Sequence, residues 1–196
     1  ALGADFAVSL TGDDSHSGTR EQPFRSFKMA ISRAAGGDTV WIKGGVYAEP
    51  LIIAHKGAAV LTVRAVPGES VVIRRVAPLP PEFVMDHGLY SIDYEQDVAG
   101  IIWDIANHPR VCSFLTRHTS KEALVREPGG GFCFDPLRKK LFIKAENRDD
   151  DPNRQPLLAT FIASGMSLSG SNIVVEGIGV ELAGSVGIGI SNAENV

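Results

Sequence analysis

Cysteine is scarce in this chain. Cys112 and Cys133 are the only two among 196 residues. One disulfide would suit an exported protein and two buried thiols would suit any compartment, so cysteine leaves that question open. Long apolar runs are missing as well. None approaches the roughly 20 residues that cross a bilayer as a helix. A basic excess is also absent. Nineteen Lys and Arg stand against 23 Asp and Glu, with net charge −4 and pI near 5.7. That balance argues against nucleic acid as the main partner, because phosphate binding needs a clustered basic surface. The opening ALGADFAVSL has no basic stretch and no long apolar core, although a mature end left by signal-peptide removal would look the same.

Several catalytic motifs are missing too. The five histidines, at 16, 55, 87, 108 and 118, show no HExxH or paired zinc spacing. GMSLSG, Gly165–Gly170, is not a nucleophile elbow, because Ser169 stands where the second glycine belongs. There is no P-loop and no dinucleotide fingerprint. Glycine and proline are what the chain has in quantity, 21 and 11 residues, and they favour a turn-rich β protein.

The stretch GDTVWIKGGVY, Gly37–Tyr47, organises the rest. Val40 and Ile42 alternate with polar or amphipathic neighbours, the period of a strand with one face in a core. Gly44-Gly45 ends that strand. Upstream, Phe24, Phe27, Ile31 and Ala34 form one stripe and Gly36-Gly37 a stop, which predicts a helix over Pro23–Ala35 with Pro23 at its first position. That helix would cover the open end of a first coil. The preceding loop, Thr11–Phe24, faintly imitates a calcium loop through Asp13, Ser15 and Ser17. It has Phe24 where a bidentate carboxylate should sit, so side chains capping their own turns are expected instead.

Downstream the apolar pairs recur about every ten residues: Leu51/Ile53, Leu61/Val63, Val71/Ile73. None of the intervening turns is an Asn-Gly or Asp-Gly hairpin loop. Two strands per coil and about 20 residues per turn follow for a solenoid. APLPPE, Ala77–Glu82, breaks the pattern with three prolines in six residues. The texture then changes until about Pro156. A hairpin is expected over Gly131–Ala145, with Phe132 and Phe134 alternating in one strand, Leu141 and Ile143 in the next, and Asp135-Pro136 starting the turn. The solenoid pattern resumes with Ile178/Val180 and Ile188/Ile190, and Asn172 and Asn195 recur 23 residues apart. Asparagines at one place in adjacent coils can stack as a ladder. The implied divisions are a cap and first coils over 1–77, an inserted β domain over 78–156, and resumed coils over 157–196.

The segments AVSLTGDDSHSGTREQPFRSFKMAI, GGDTVWIKGGVY, VPGESVVI and SNIVVEGIGVELAG together resemble the N-terminal part of the pectate-lyase-like right-handed parallel β-helix superfamily. GGGFCFDPLRKKLFIKAENRDDDP resembles the inserted β domain of certain β-helix glycoside hydrolases, β-xylosidase-like members included. The resemblance implies an all-β fold: a right-handed parallel β-helix with an N-terminal capping helix and a small inserted antiparallel β domain. It implies a glycoside hydrolase or polysaccharide lyase, secreted, periplasmic or at the cell surface, with a polysaccharide or oligosaccharide as partner. Calcium would be expected if the activity is that of a lyase. The catalytic residues of such enzymes generally lie on coils further on, which makes this an N-terminal portion. The alternative is a non-catalytic module that binds glycans or assembles through its surface, and an exposed C-terminal coil would favour self-association.

Within the chain, Glu176 and Glu181 are the acids nearest the regular coil surface. If Ile173, Val175, Ile178 and Val180 point inward, both glutamates point out and could line a sugar groove; plain solvated positions are the competing reading. Asp149-Asp150-Asp151 reads as a cation site or a self-repelling loop. Tyr90, Tyr94 and Trp103 read as sugar-stacking rings or as core of the small domain.

Overall fold

The computed structural model describes residues 3–103, 113–147, 150–161, 164–182 and 186–196; Cys112, His108 and Asp149 lie outside them. The chain divides into two compact units. One comprises Ala1–Arg75 with Ala163–Val196, and the other Val76–Ile162.

The first unit is built from three parallel sheets. Strands Asp5–Val8, Thr39–Ile42, Leu61–Ala65 and Ile173–Glu176 form one, in that order. Gly45–Tyr47, Val71–Arg74 and Ile178–Glu181 form the second. Leu51–His55, Met166–Ser171 and Ile188–Glu194 form the third. The chain visits them in a fixed order and returns to the first sheet one strand further on. Thr39 faces Thr62, so one circuit takes 23 residues. A circuit has three strands rather than the two expected from the apolar pairs. The missed strand is Gly45–Tyr47: Gly45 is aligned with Val71 and Tyr47 with Ile73, so glycine and tyrosine hide the second apolar pair. The glycines that mark the end of one strand open the next.

Inward side chains stack in columns. Phe6, Val40, Val63 and Val175 share one register position. Leu51, Met166 and Ile188 share another, and Tyr47, Ile73 and Val180 a third. Most belong to one core cluster, with Val40, Ile42, Leu51, Ile53, Val63 and Ile73 buried. The pairs from Val40/Ile42 through Val71/Ile73, and Ile178/Val180, point into it, whereas Ile188 and Ile190 are 52% and 57% exposed. Each fully buried aliphatic side chain contributes about 1.5–3 kcal/mol. Tyr47 is buried with its hydroxyl donating to the Lys43 carbonyl at 2.7 Å, and its ring lies 4.7 Å from that of Phe27.

The helix is shorter than expected, Phe27–Arg33 rather than Pro23–Ala35. Phe24 is instead bridged to Val8, and its N–H donates to the Ala7 carbonyl. The start is set by Ser26, whose hydroxyl accepts from the Met29 N–H at 3.1 Å. A serine cap with its own partners outranks a proline that merely tolerates a helix start. The helix packs against Leu51–His55 and Asp5–Val8, burying Phe27 and Ala30.

Among the described residues, the second unit holds two sheets. One runs Ser113–Phe114, Val98–Trp103, Leu158–Phe161, Val76–Pro78, all antiparallel. The other runs Thr116–Arg117, Gly131–Asp135, Lys140–Lys144, Leu89–Asp93, Val84–Asp86, antiparallel except for its first pair. Their facing sides share a core that includes Val98, Ile101, Phe132, Leu141 and Ile143. The hairpin pairs Phe132 with Ile143 and Phe134 with Leu141. Asp135 closes its turn by accepting from the N–H groups of Leu137 and Arg138, both at 3.0 Å. A second helix, Lys121–Arg126, covers the other face over Leu89, Cys133 and Phe142 through Leu124. Its signal was short: Ser120 as cap and Leu124 as the one buried residue.

Candidate functional site

The outward faces of the parallel sheets carry the candidate acids. Ile173 is buried, and Val175, Ile178 and Val180 pack against the core, so strand alternation turns Glu176 and Glu181 to solvent. Each glutamate meets an arginine at its own register position one strand back. Glu176 is aligned with Arg64 and bonded to its guanidinium. Glu181 is aligned with Arg74, with Nη2 at 2.6 Å and Nε at 3.2 Å from the same oxygen. The two acids stand on different sheets. A glycosidase places two carboxylates on either side of one bond; here each is instead engaged by a cation of the preceding strand.

The Arg64 position continues into a ladder that sequence reading missed. Trp41 is aligned with Arg64, whose guanidinium carbon lies 5.3 Å from the indole centroid. Arg20 approaches the same ring at 5.7 Å. The indole N–H donates to Asp5 at 3.2 Å. The signal was available: Trp41 lies between inward Val40 and Ile42 and must face out. Cation–π contacts at such exposed places are worth about 0.5–1 kcal/mol.

A second group surrounds the start of the first helix. Asp14 accepts from the N–H groups of Arg25 and Ser26 and from the Ser26 hydroxyl, at 2.9, 2.8 and 2.7 Å. Burial pushes its carboxyl up, but the Ser26 and Arg25 hydrogen bonds outweigh that and hold it below its ordinary value. Glu49 accepts from the Phe27 N–H at 2.8 Å. Burial raises its carboxyl above the ordinary value, and the neighbouring Asp14 charge adds to this against the Phe27 bond. A raised carboxyl is what a general acid needs, yet here the group caps a helix. It also borders an apolar groove of about 560 Å³ between Ile31 and Ile52.

The remaining candidates resolve into structure. Tyr90 and Trp103 are buried in the second unit's core, and Tyr94 packs on it. Asp150 accepts from Asn147, and Asp151 from the Asn153 N–H, so both hold their own loop. Asp13 accepts from the N–H and hydroxyl of Ser15, the turn-capping arrangement expected of that loop. Among the described residues, no three of His, Cys, Asp and Glu converge as a metal site would require. Cys133 is a buried thiol pushed up to about 11, first by burial and then by Glu122 and Asp135. Among the described residues, no helix is long and apolar enough to cross a membrane.

No family model matches the chain. It is 43% identical over 68 residues to the uncharacterized protein YwoF of Bacillus subtilis (strain 168), covering 34% of this chain and 14% of that protein. It is 37% identical over 76 residues to the pectate lyase PEL9 of Emericella nidulans, covering 37% of this chain and 18% of that one. The chain therefore spans less than a fifth of the length of these relatives. Among solved structures, the complex of XylC with xylose superposes with a TM-score of 0.67 at 19% identity, over 93% of this chain and 36% of the other. A glycoside hydrolase superposes with a TM-score of 0.54 at 12% identity, over 92% of this chain and 51% of the other. These likenesses concern the fold.

Proposed function

We propose that this chain forms the opening coils of a right-handed parallel β-helix in a carbohydrate-active protein, of glycoside hydrolase or polysaccharide lyase type. The observation that carries the reading is the fixed three-sheet circuit, interrupted once by a β unit at Val76–Ile162. The XylC likeness over nearly the whole chain and the local likeness to a pectate lyase support it. The substrate is a polysaccharide or oligosaccharide, met outside the cell or in the periplasm. The acids that cleave it belong to coils beyond those described. Glu176 and Glu181 are proposed to border the sugar groove rather than do chemistry, since each is held by an arginine. Were the activity that of a lyase, calcium held by oxygen ligands would be expected to neutralise a uronate.

The guanidinium pairing also favours a second reading, a glycan-binding or assembly module without its own chemistry. One experiment tests both. The chain is incubated with xylan and with polygalacturonate, with and without calcium; reducing ends, unsaturated uronate and retention on the insoluble glycan are followed. Retention without new ends is expected for this chain. Products appearing from it would overturn the placement of the catalytic acids elsewhere, and absence of retention on every glycan would sink the carbohydrate reading.

A further inference from the structure

Among the described residues, one sheet face of the second unit is only partly covered. On the sheet ending in Leu89–Asp93 and Val84–Asp86, strand alternation puts Val84, Asp86, Leu89, Ser91, Asp93, Lys140, Phe142 and Cys133 on one side. The helix Lys121–Arg126 covers Leu89, Cys133 and Phe142. The part beyond it is a cleft of about 560 Å³. Ser91 lies within it beside Val84, its cross-strand partner. Pro80 adds apolar surface, while Ile92 borders the cleft with its side chain in the core on the opposite face. The charged groups lining it are Glu82, Asp86, Asp93 and Lys140, with Lys140 Nζ 3.3 Å from Asp93.

We propose that this cleft is a binding site for a neutral saccharide. The inference rests on the carbohydrate reading above and narrows it. A pyranose or furanose ring presents apolar C–H faces and a rim of hydroxyls. Pro80 and Val84 supply apolar area for the first. Carboxylates accept from paired hydroxyls, the Lys140 ammonium donates to a ring or hydroxyl oxygen, and Ser91 does either. Three carboxylates against one ammonium also set specificity: a uronate or a phosphorylated sugar would enter against a net negative lining. Asp86, Ser91, Asp93 and Lys140 stand on three neighbouring hydrogen-bonded strands, so these groups are held in place before binding.

The test is a titration of the isotopically labelled chain by two-dimensional amide NMR, once with xylobiose and once with digalacturonate. Xylobiose is expected to move amides of residues 82–93 and 140. Digalacturonate is expected to leave them in place. Asp86→Ala with Asp93→Ala, both exposed, should weaken xylobiose binding at least about tenfold while the rest of the spectrum is unchanged. Ser91→Trp, which fills the cleft, should abolish the shifts. Asp86→Lys should admit digalacturonate. Xylobiose shifts confined to the first unit would overturn the cleft and leave the carbohydrate reading standing. No shifts with any saccharide would overturn both, and digalacturonate binding to the unaltered cleft would overturn the assignment to neutral sugars.

Discussion

Asn195 Nδ2 donates to Asn172 Oδ1 at 3.3 Å, joining two residues 23 positions apart. Asn172 in turn donates to the carbonyls of Gly57 at 2.9 Å and Ala58 at 3.3 Å. Both asparagines have left-handed backbone, φ 56° and 55°. One side chain therefore does two things at the same corner of successive circuits. It tolerates a conformation that most residues avoid, and it satisfies carbonyls that the turn leaves unpaired. Asn172→Ala removes the bonds and strains the backbone, so a loss of about 1–3 kcal/mol is expected in chemical denaturation. Asn172→Gly removes only the bonds and should cost less. Equal losses would show that backbone strain plays no part.

The Arg64–Glu176 and Arg74–Glu181 pairs join strands separated by more than a hundred residues of chain. Both are partly exposed, so each is expected to contribute no more than about 1 kcal/mol. Glu176→Gln and Glu181→Gln should each shift stability by less than that, and a double-mutant cycle with Arg64→Gln or Arg74→Gln should give a coupling that falls with added salt. A coupling well above about 2 kcal/mol, unaffected by salt, would mean that the pairs are desolvated and central to the fold.

The two carboxylates at the first helix respond to pH in opposite directions. Asp14 is held below its ordinary 3.8, so its contribution is present above that pH and is lost as pH falls through the lowered value. Glu49 is raised above 4.5, so its contribution is complete below 4.5 and is lost as pH rises through the raised value. Thermal melts from pH 3 to 7 should separate them. Asp14→Asn should remove part of the acid-side loss. Glu49→Gln, which keeps an acceptor for the Phe27 N–H, should gain on the parent protein as pH rises from 4.5 to 7. If Glu49→Gln is the less stable of the two throughout that range, the carboxylate is favourable there and its burial has been misjudged.

Cys133 offers a check on the second unit's packing. A thiol raised to about 11 is almost entirely protonated at neutral pH, and only the thiolate attacks alkylating reagents. In the folded protein at pH 8, Cys133 should react at least about a hundredfold more slowly than in denaturant. Mass mapping of the alkylated peptide reads this residue alone. Labelling as fast as in denaturant would mean that the helix Lys121–Arg126 opens readily over it.

The inward pairs were legible because β-branched and leucine residues at every second position have one explanation in a parallel stack, and all the pairs before Ile188/Ile190 point to the core. The circuit length was less so. Gly45–Tyr47 is a strand whose inward positions are glycine and tyrosine, so no apolar pair announces it. The helix start was misplaced because Phe24 fits a helical stripe and a strand bridge equally well, and Asp14, a dozen residues earlier, decides between them. The glutamates were placed on the right face, but their arginines come from another circuit, and periodicity carries no cross-strand partner. The cleft beside Ser91 left no local mark, since among the described residues it arises beyond the reach of a helix far along the chain.

The last circuit makes the strongest prediction about behaviour in solution. Ile188 and Ile190 share register with Leu51 and Ile53 through Met166 and Leu168. Leu51 and Ile53 are fully buried, while Ile188 and Ile190 are 52% and 57% exposed. Beside them run Ile173–Glu176, Ile178–Glu181 and Ile188–Glu194, each the terminal strand of its sheet among the described residues. Apolar side chains next to unpaired backbone edges are the usual condition for strand-to-strand association. The chain is therefore expected to self-associate with rising concentration in light scattering and sedimentation. Ile188→Lys with Ile190→Lys should return it to a monomer without lowering its melting temperature, because both side chains are already half in water. A monodisperse monomer at high concentration in the unaltered protein would show that this face is covered from within the chain.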